Sequence, residues 1–373
     1  MAPNNDFKEQ HFMQATRRAN RARALAHVIG PRLRDLIPGA FSSAPKVIGL
    51  VNQGWMNFTL LVEVSDENKA YILRLSAIDK SLSRPADISP SLAKESYVLH
   101  RLERLNVAPR LGTPPIGLVT ISMPGEGECD FSFLLQEYLP FRSGSAREVV
   151  RDRAYALRQL GEYLKIIHVT KVDGFGLDFS LASNRFVYDR FSDYIESRAT
   201  GVSESNLDSN LKDWLLARLI SLASLKTEPL LFHRDVLANW GNFLIDGDSR
   251  VQAIIDWEFA GSGAPLQHEL ASMIYAQGRD GVVREQTDRD LASVLSGYGV
   301  TLEEYRDVYE RDTETLVLLS SVEALHKFDR LRRQEGALDR EPWRRVFAER
   351  ARESCRLAFQ LDSTFMKARR IAA

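Results

Sequence analysis

Cysteine is scarce in this 373-residue chain: Cys129 and Cys355 are the only two, which leaves no disulfide framework and no metal-ligand spacing, as in a reducing compartment. Long apolar runs are missing too. No stretch of about 18 apolar residues occurs, and Met1-Ala-Pro-Asn-Asn-Asp6 lacks the charged start and apolar core of a secretion signal. The expected location is therefore the cytoplasm, with no membrane partner. Neither charge sign dominates, because 49 Lys and Arg face 50 Asp and Glu for a formal net charge of -1, and no long-range field favours nucleic acid as a partner. What the chain does have is 44 % apolar and 27 % charged residues, enough to bury a sizeable core in two lobes.

The most informative stretch is His233-Arg-Asp235, a short loop to Asn242-Phe-Leu-Ile245, and then Ile254-Ile-Asp256-Trp-Glu258. The apolar runs Phe243 to Ile245 and Val251 to Ile255 read as a hairpin turning at Asp246-Gly-Asp-Ser249. Such a hairpin can bring Asp235, Asn242 and Asp256 to one end of a packed element, as placing a base near a hydroxyl and holding Mg²⁺ against nucleotide phosphates requires. His233 reads as a residue that packs and holds the loop, since a carboxylate at Asp235 suits the base better.

On these residues the chain resembles the protein-kinase-like small-molecule phosphotransferases, the aminoglycoside phosphotransferase and choline kinase superfamily. The resemblance implies that Asp235 faces the acceptor hydroxyl and that Asn242 and Asp256 bind the metal. It also implies an α+β, bilobal protein-kinase-like fold, with a small N-terminal antiparallel-sheet lobe, a larger mainly helical C-terminal lobe, and ATP and Mg²⁺ as cofactors. The family usually leaves four residues between the aspartate and the asparagine, whereas Val236 to Gly241 make six here. The loop must bulge, and Asn239 stands as the alternative metal amide.

Upstream, Val47 to Val51, Phe58 to Val64, Ala70 to Leu75 and Phe131 to Leu139 read as strands, and Ser91 to Leu105 as a helix. Between the first two strands, Asn52-Gln-Gly-Trp-Met-Asn57 is placed to approach phosphates through Asn52 and Gly54. Arg74 is a lone cation in an apolar strand, suited to phosphate oxygens, and Glu95 is its candidate anchor. Gln136, Glu137 and Leu139 lie where backbone groups of a hinge can bond an adenine edge. Residues 1–42 read as an N-terminal helical extension, 43–137 as the nucleotide-binding lobe and 138–373 as the catalytic and acceptor-binding lobe. In the extension, Gln14 to Ala26 carries Arg17, Arg18, Arg21 and Arg23 and reads as an arm packed on one lobe or as a dimer contact.

Arg151 to His168 reads as an amphipathic helix with a structural histidine at its end. The following Asp173-Gly-Phe-Gly176 resembles a segment of hygromycin-type phosphotransferases. Glu269, just before Leu270-Ala271, reads as a carboxylate that holds the loop. Glu303, Asp307, Glu310 and Glu314 share a helical face over Leu302 to Leu319, read first as a solvated face and second as a polycation stripe. The expected activity is transfer of the γ-phosphoryl group of ATP to a hydroxyl of a small polar molecule, with a homodimer possible. The alternative is a nucleotide-binding protein or scaffold without transfer activity. A protein kinase is disfavoured, because the loop after Asn52 is poor in glycine and no Asp-Phe-Gly follows the hairpin.

Overall fold

Alternating burial builds the first half of the molecule: in Phe58–Val64, Phe58, Leu60, Val62 and Val64 are all buried, as in a strand with one face on a core. The computed structural model describes residues 20, 22–41, 43–52, 58–64, 68–77, 89–123, 125, 127–145, 152–204, 209–279, 282 and 284–333. Two units divide the chain: Met1–Phe141 with Phe179–Arg185 and Ala253–Glu258, and Arg142–Asp178 with Phe186–Gln252 and Phe259–Ala373.

In the first unit, strands β1 (Lys46–Asn52), β2 (Phe58–Val64), β3 (Lys69–Ala77), β4 (Leu111–Met123) and β5 (Gly127–Glu137) form an antiparallel sheet in the order β1-β2-β3-β5-β4. Strand β4 has no counterpart among the expected strands. Its Gly112, Pro114, Pro115 and Gly117 read as breakers, and an edge strand tolerates them because its outer N–H groups need no partner. One face of the sheet buries Leu60, Val62, Leu73, Leu75, Phe131, Phe133 and Leu135 against Ala22, Leu25, Ile29, Leu33, Ile37 and Phe41. Ala22, Leu25 and Ile29 come from helix α1 (22–29), Leu33 from helix α2 (Leu33–Leu36), which follows a turn at Gly30–Arg32, and Ile37 and Phe41 from the chain just beyond it. Their steps of three and four make one apolar stripe. From Ala22 onward the expected arm is thus part of this unit's core, with Arg23 left exposed; residues 14–19 lie outside the described ones. By strand parity Arg74, Leu134 and Gln136 point to the opposite face, which helix α3 (Pro90–Leu102) covers with Leu92, Val98, Leu99 and Leu102.

The second unit holds β6 (Arg142–Ser143), α4 (Arg153–Ile167), most of β7 (Phe175–Ser180) and of β8 (Arg185–Tyr188), α5 (Phe191–Ser203), α6 (Ser209–Ala223), β9 (Leu230–Phe232), β10 (Phe243–Ile245), the start of β11 (Val251–Ile254), β12 (Gly261–Gly263), α7 (Pro265–Arg279) and α8 (Arg284–Tyr298). Asp152 caps α4 by accepting from Tyr155 N at 3.0 Å. Helices α4 and α8 cross where Gly161 faces the Val294 carbonyl and Gly297 faces that of Arg158; a Cβ at either position would collide with backbone. The β10–β11 hairpin turns as expected through Asp246, whose Oδ1 accepts from Asp248 N and Arg250 N, both at 2.9 Å. The helix expected over Leu302 to Leu319 is instead α9 (Leu302–Glu304), a π turn at Tyr305–Tyr309 and α10 (Glu310–Arg333). That wider turn rotates Glu310 and Glu314 relative to Glu303 and Asp307, and Glu314 pairs with Arg218 at 3.3 Å. No helix among the described residues is long and apolar enough to cross a membrane.

Candidate active site

Of the expected site residues, Arg74, Glu95 and Asp256 form one cluster within the first unit, and Asp235 and Asn242 another within the second. In the first, Arg74 leaves β3 toward α3, and its Nη1 lies 2.6 Å from both Glu95 oxygens. Its Nη2 donates to Asp256 Oδ1 at 2.9 Å and to Glu258 Oε2 at 3.4 Å. Arg74 is 8 % exposed and Glu95 0 %. Burial opposes the charge on Arg74, but Glu95, Asp256 and Glu258 outweigh it and raise its pKa. Burial drives the Glu95 pKa up, against the pull of the guanidinium. The Nε of Arg74 is buried without a hydrogen-bond partner among the described residues.

The segment that brings in the other two carboxylates is pinned on both sides of Asp256. Ile254 N donates to Val107 O at 2.8 Å, and the buried Trp257 donates from Nε1 to Ile254 O at 3.0 Å. Asp256 itself has φ +67°, a left-handed conformation that L residues other than glycine seldom adopt. Glu258 is not among the site residues expected from the sequence alone. The structure sets it on Arg74, and the signal was the Asp-x-Glu spacing around a core tryptophan.

At the segment expected to meet adenine, Gln136 is buried within β5, opposite Ile72 on one side and Leu111 on the other. The Glu137 N–H donates to Arg110 O at 2.8 Å and the Tyr138 N–H to Ala70 O at 2.9 Å, so both amides are already engaged. The Leu139 N–H makes no backbone hydrogen bond among the described residues, while the Leu139 carbonyl accepts from Phe141 N at 2.8 Å. Asn52 ends β1 opposite Thr59, and Gly54 lies outside the described residues.

In the second unit, Asp235 and Asn242 meet: Asn242 Nδ2 donates to Asp235 Oδ2 at 2.7 Å. Asn239 Nδ2 donates to Asn242 Oδ1 at 3.1 Å, and Asn239 Oδ1 caps the turn Trp240–Asn242 by accepting from Gly241 N at 3.0 Å. The extra loop length is thus taken up in a capped turn that ends on Asn242. His233 is fully buried and its Nδ1 accepts from the Asp235 N–H at 3.2 Å, so that lone pair is committed to holding the loop. Arg234 sits between them at φ +73°, a second left-handed residue.

Glu269, 0 % exposed, anchors this loop by accepting from the N–H groups of His233 and Arg234 at 2.5 and 3.0 Å. Burial would raise its pKa, yet the imidazoles of His168 and His233 and the Arg234 amide hold it below the usual carboxylate range. His168 caps α4, lies 3.8 Å from Glu269 and meets the Tyr298 hydroxyl at 3.0 Å; burial lowers its pKa.

With this geometry in hand, the comparison with known families is decisive: the sequence profile of the Phosphotransferase enzyme family (APH) matches residues 48–311. The chain belongs to that family. The aminoglycoside phosphotransferase APH(4)-Ia superposes with a TM-score of 0.53 at 17 % identity, covering 86 % of this chain and 98 % of that one. A microcompartment-associated aminopropanol kinase gives 0.52 at 15 % identity over 87 % and 95 % of the two chains. A GDP complex of aminoglycoside 2'-phosphotransferase-IIIa gives 0.50 at 17 % identity over 86 % and 96 %. No curated protein sequence matches. These family members share the α+β, bilobal, kinase-like fold, and membership makes this chain a small-molecule phosphotransferase.

In each unit taken by itself, one of the expected metal ligands offers an oxygen of the kind a hard divalent cation takes. Asn242 Oδ1 has a second lone pair beyond the one facing Asn239, and the Asp256 side chain is 32 % exposed beside its contact with Arg74. Among the described residues no three His, Cys, Asp or Glu converge as a cage. Mg²⁺ is commonly held by one or two carboxylates plus substrate phosphates, so that is no obstacle.

Proposed function

We propose that this protein transfers the γ-phosphoryl group of ATP to a hydroxyl of a small polar acceptor, with Mg²⁺ required. The observation that carries this reading is the 2.7 Å hydrogen bond from Asn242 to Asp235, which orients a carboxylate on a loop anchored by Glu269. Asp235 is then the group that aligns the acceptor hydroxyl and takes its proton. As the acceptor oxygen bonds to the γ-phosphorus, the bond to the departing ADP oxygen breaks.

Asn242 and Asp256 would hold the metal, which when bound neutralises phosphate charge as the leaving oxygen develops. Arg74, fixed by Glu95, would add a permanent cation at the phosphates. The Leu139 N–H is the hinge donor for the adenine edge, because those of Glu137 and Tyr138 are engaged. Asn52 and Gly54 remain proposed phosphate contacts. The acceptor class stays at hydroxyl-bearing polar small molecules, the kind of compound that the names of the matched aminoglycoside phosphotransferases and aminopropanol kinase describe.

The test is acceptor-dependent ADP release across a panel of sugars, amino alcohols and aminoglycosides, run with and without Mg²⁺. Metal-dependent release with at least one acceptor is expected. Mg-ATP binding by calorimetry with no release across the panel would favour the reading of a nucleotide-binding protein without transfer activity.

A further inference from the structure

The turn that ends on Asn242 is buttressed from outside. Trp240, its first residue, stands edge-on to Phe243 with ring centroids 5.5 Å apart. Over the indole lies the guanidinium of Arg153, 4.5 Å from the ring centroid. Arg153 opens α4 and is itself fixed, because its Nε and Nη2 donate to Asp290 on α8 at 2.9 and 2.6 Å. Asp290 is 2 % exposed and also accepts from Gln277 and Gln286, each at 2.7 Å. A carboxylate withdrawn from water and surrounded by donors from α4, α7 and α8 is more than is needed to pin two helices that already interlock at Gly161 and Gly297. The arrangement also presents one oriented cation to the face of one ring.

That ring sits beside the one place where orientation matters most. The side-chain amide of an asparagine can take two flips that differ only in the exchange of O and N. Asn242 is held in one of them from both ends, because Asp235 accepts from its NH₂ and Asn239 donates to its carbonyl. Asn239 keeps its place through the turn, bonding Gly241 N through its side chain and Asn242 N through its carbonyl, both at 3.0 Å. Movement of Trp240 would move Asn239 and release the choice of flip.

We propose that Asp290, Arg153 and Trp240 form a brace that fixes the Asn239–Asn242 turn, so that the Asn242 carbonyl is presented to the metal in one orientation. Arg153, Trp240 and Asn239 are then positioning residues. The inference rests on the reading of Asn242 as the metal amide. Losing a group that orients a metal ligand typically weakens metal affinity by about 10- to 100-fold, and this brace reaches the turn through a single cation–π contact, so an effect at the low end, about tenfold, is expected.

The measurement is Mn²⁺ affinity by electron paramagnetic resonance on the full chain with a non-hydrolysable ATP analogue, with Asn242→Ala as the reference. Trp240→Leu and Arg153→Met should bind Mn²⁺ about tenfold more weakly, while Trp240→Phe, which keeps a ring under Arg153, stays within about threefold of the parent. Binding of the analogue without metal should be unchanged in all three. If Asn242→Ala loses Mn²⁺ but Trp240→Leu and Arg153→Met do not, the brace is overturned and the metal reading stands. If Asn242→Ala binds as the parent does, the metal reading fails and the brace with it. Should Arg153→Met not fold, the two Trp240 variants decide; equal loss in both, or a loss of metal-free analogue binding, marks a general structural role and overturns the proposal.

Discussion

The two clusters are built on opposite principles. Around Arg74, one guanidinium meets Glu95, Asp256 and Glu258, an excess of negative charge largely withdrawn from water. Around Asp235, one carboxylate is steered by two neutral amides and a backbone turn, and the charge that anchors the loop, Glu269, is kept apart beneath it. The first arrangement suits binding of a charged ligand, since a cation and metal-seeking carboxylates act at any moment of the cycle. The second suits reaction, where a single proton must be accepted from a set direction. Substitutions in the two clusters should therefore fail in different ways.

The largest difference is expected at Asp235. Asp235→Asn keeps the shape and the amide contact but cannot accept the proton, and positioned acid-base groups contribute about 10²- to 10⁴-fold. Turnover should fall by about 10³-fold with Mg-ATP affinity nearly unchanged, the pattern of an interaction used in the transition state. Calorimetry beside ADP release checks this; transfer at the parent rate would remove Asp235 from its proposed role. Asp256→Asn should weaken metal-dependent nucleotide binding as well as turnover, and loss of turnover alone would erase the contrast between the clusters.

Stability should separate the clusters next. Arg74→Ala strands Glu95, which is fully buried, and breaking a buried pair costs about 3 to 5 kcal/mol. Asn242→Ala removes hydrogen bonds around a partly exposed carboxylate, worth about 1 kcal/mol. Chemical denaturation of both variants should show the first far less stable, and Arg74→Ala with Glu95→Gln should recover part of the loss. Equal destabilisation would mean that the Arg74 cluster is more solvated than its burial implies.

Much of this was legible in the sequence because strict patterns carry it. The alternation in β2 and β3, the lone arginine in Tyr71-Ile-Leu-Arg-Leu75 with a glutamate on the next helix, and the apolar hairpin between Asn242 and Asp256 all constrain nearby geometry. What was not legible depends on partners far apart or on local exceptions. Arg153 and Asp290 are separated by 137 positions, and nothing in either neighbourhood announces the other. Spacing alone could not say which of Asn239 and Asn242 would cap the turn and which would meet Asp235. The arginines of the N-terminal segment obscured a stripe, Ala22, Leu25, Ile29, Leu33 and Ile37, that belongs to the core.

The smallest expected effect concerns acid, and it distinguishes the regions by sign. Burial raises the Glu95 pKa, so acid does not destabilise the first unit through that group. In the second unit, burial lowers the pKa of His268 from 6.5 to about 4; its hydrogen bond to Ala264 O opposes this, and the Arg234 charge adds to it. His268 is stacked on Phe232 with centroids 4.2 Å apart and its Nδ1 lies 2.7 Å from Ala264 O, and its burial outweighs that hydrogen bond in favour of the neutral ring. Protons therefore bind the unfolded chain more tightly. The stabilisation is complete above pH 6.5 and is lost as pH falls toward about 4. Burial acts on His168 in the same direction, and Glu269, held below its usual range, adds a loss at lower pH. Hydrogen exchange followed between pH 7 and 4.5 should thus show α7 and β9 losing protection before β3 and α3. His268→Phe, which keeps the ring against Phe232 but cannot titrate, should flatten part of that slope. A slope unchanged in His268→Phe would mean that the ring is solvated or already charged in the native protein.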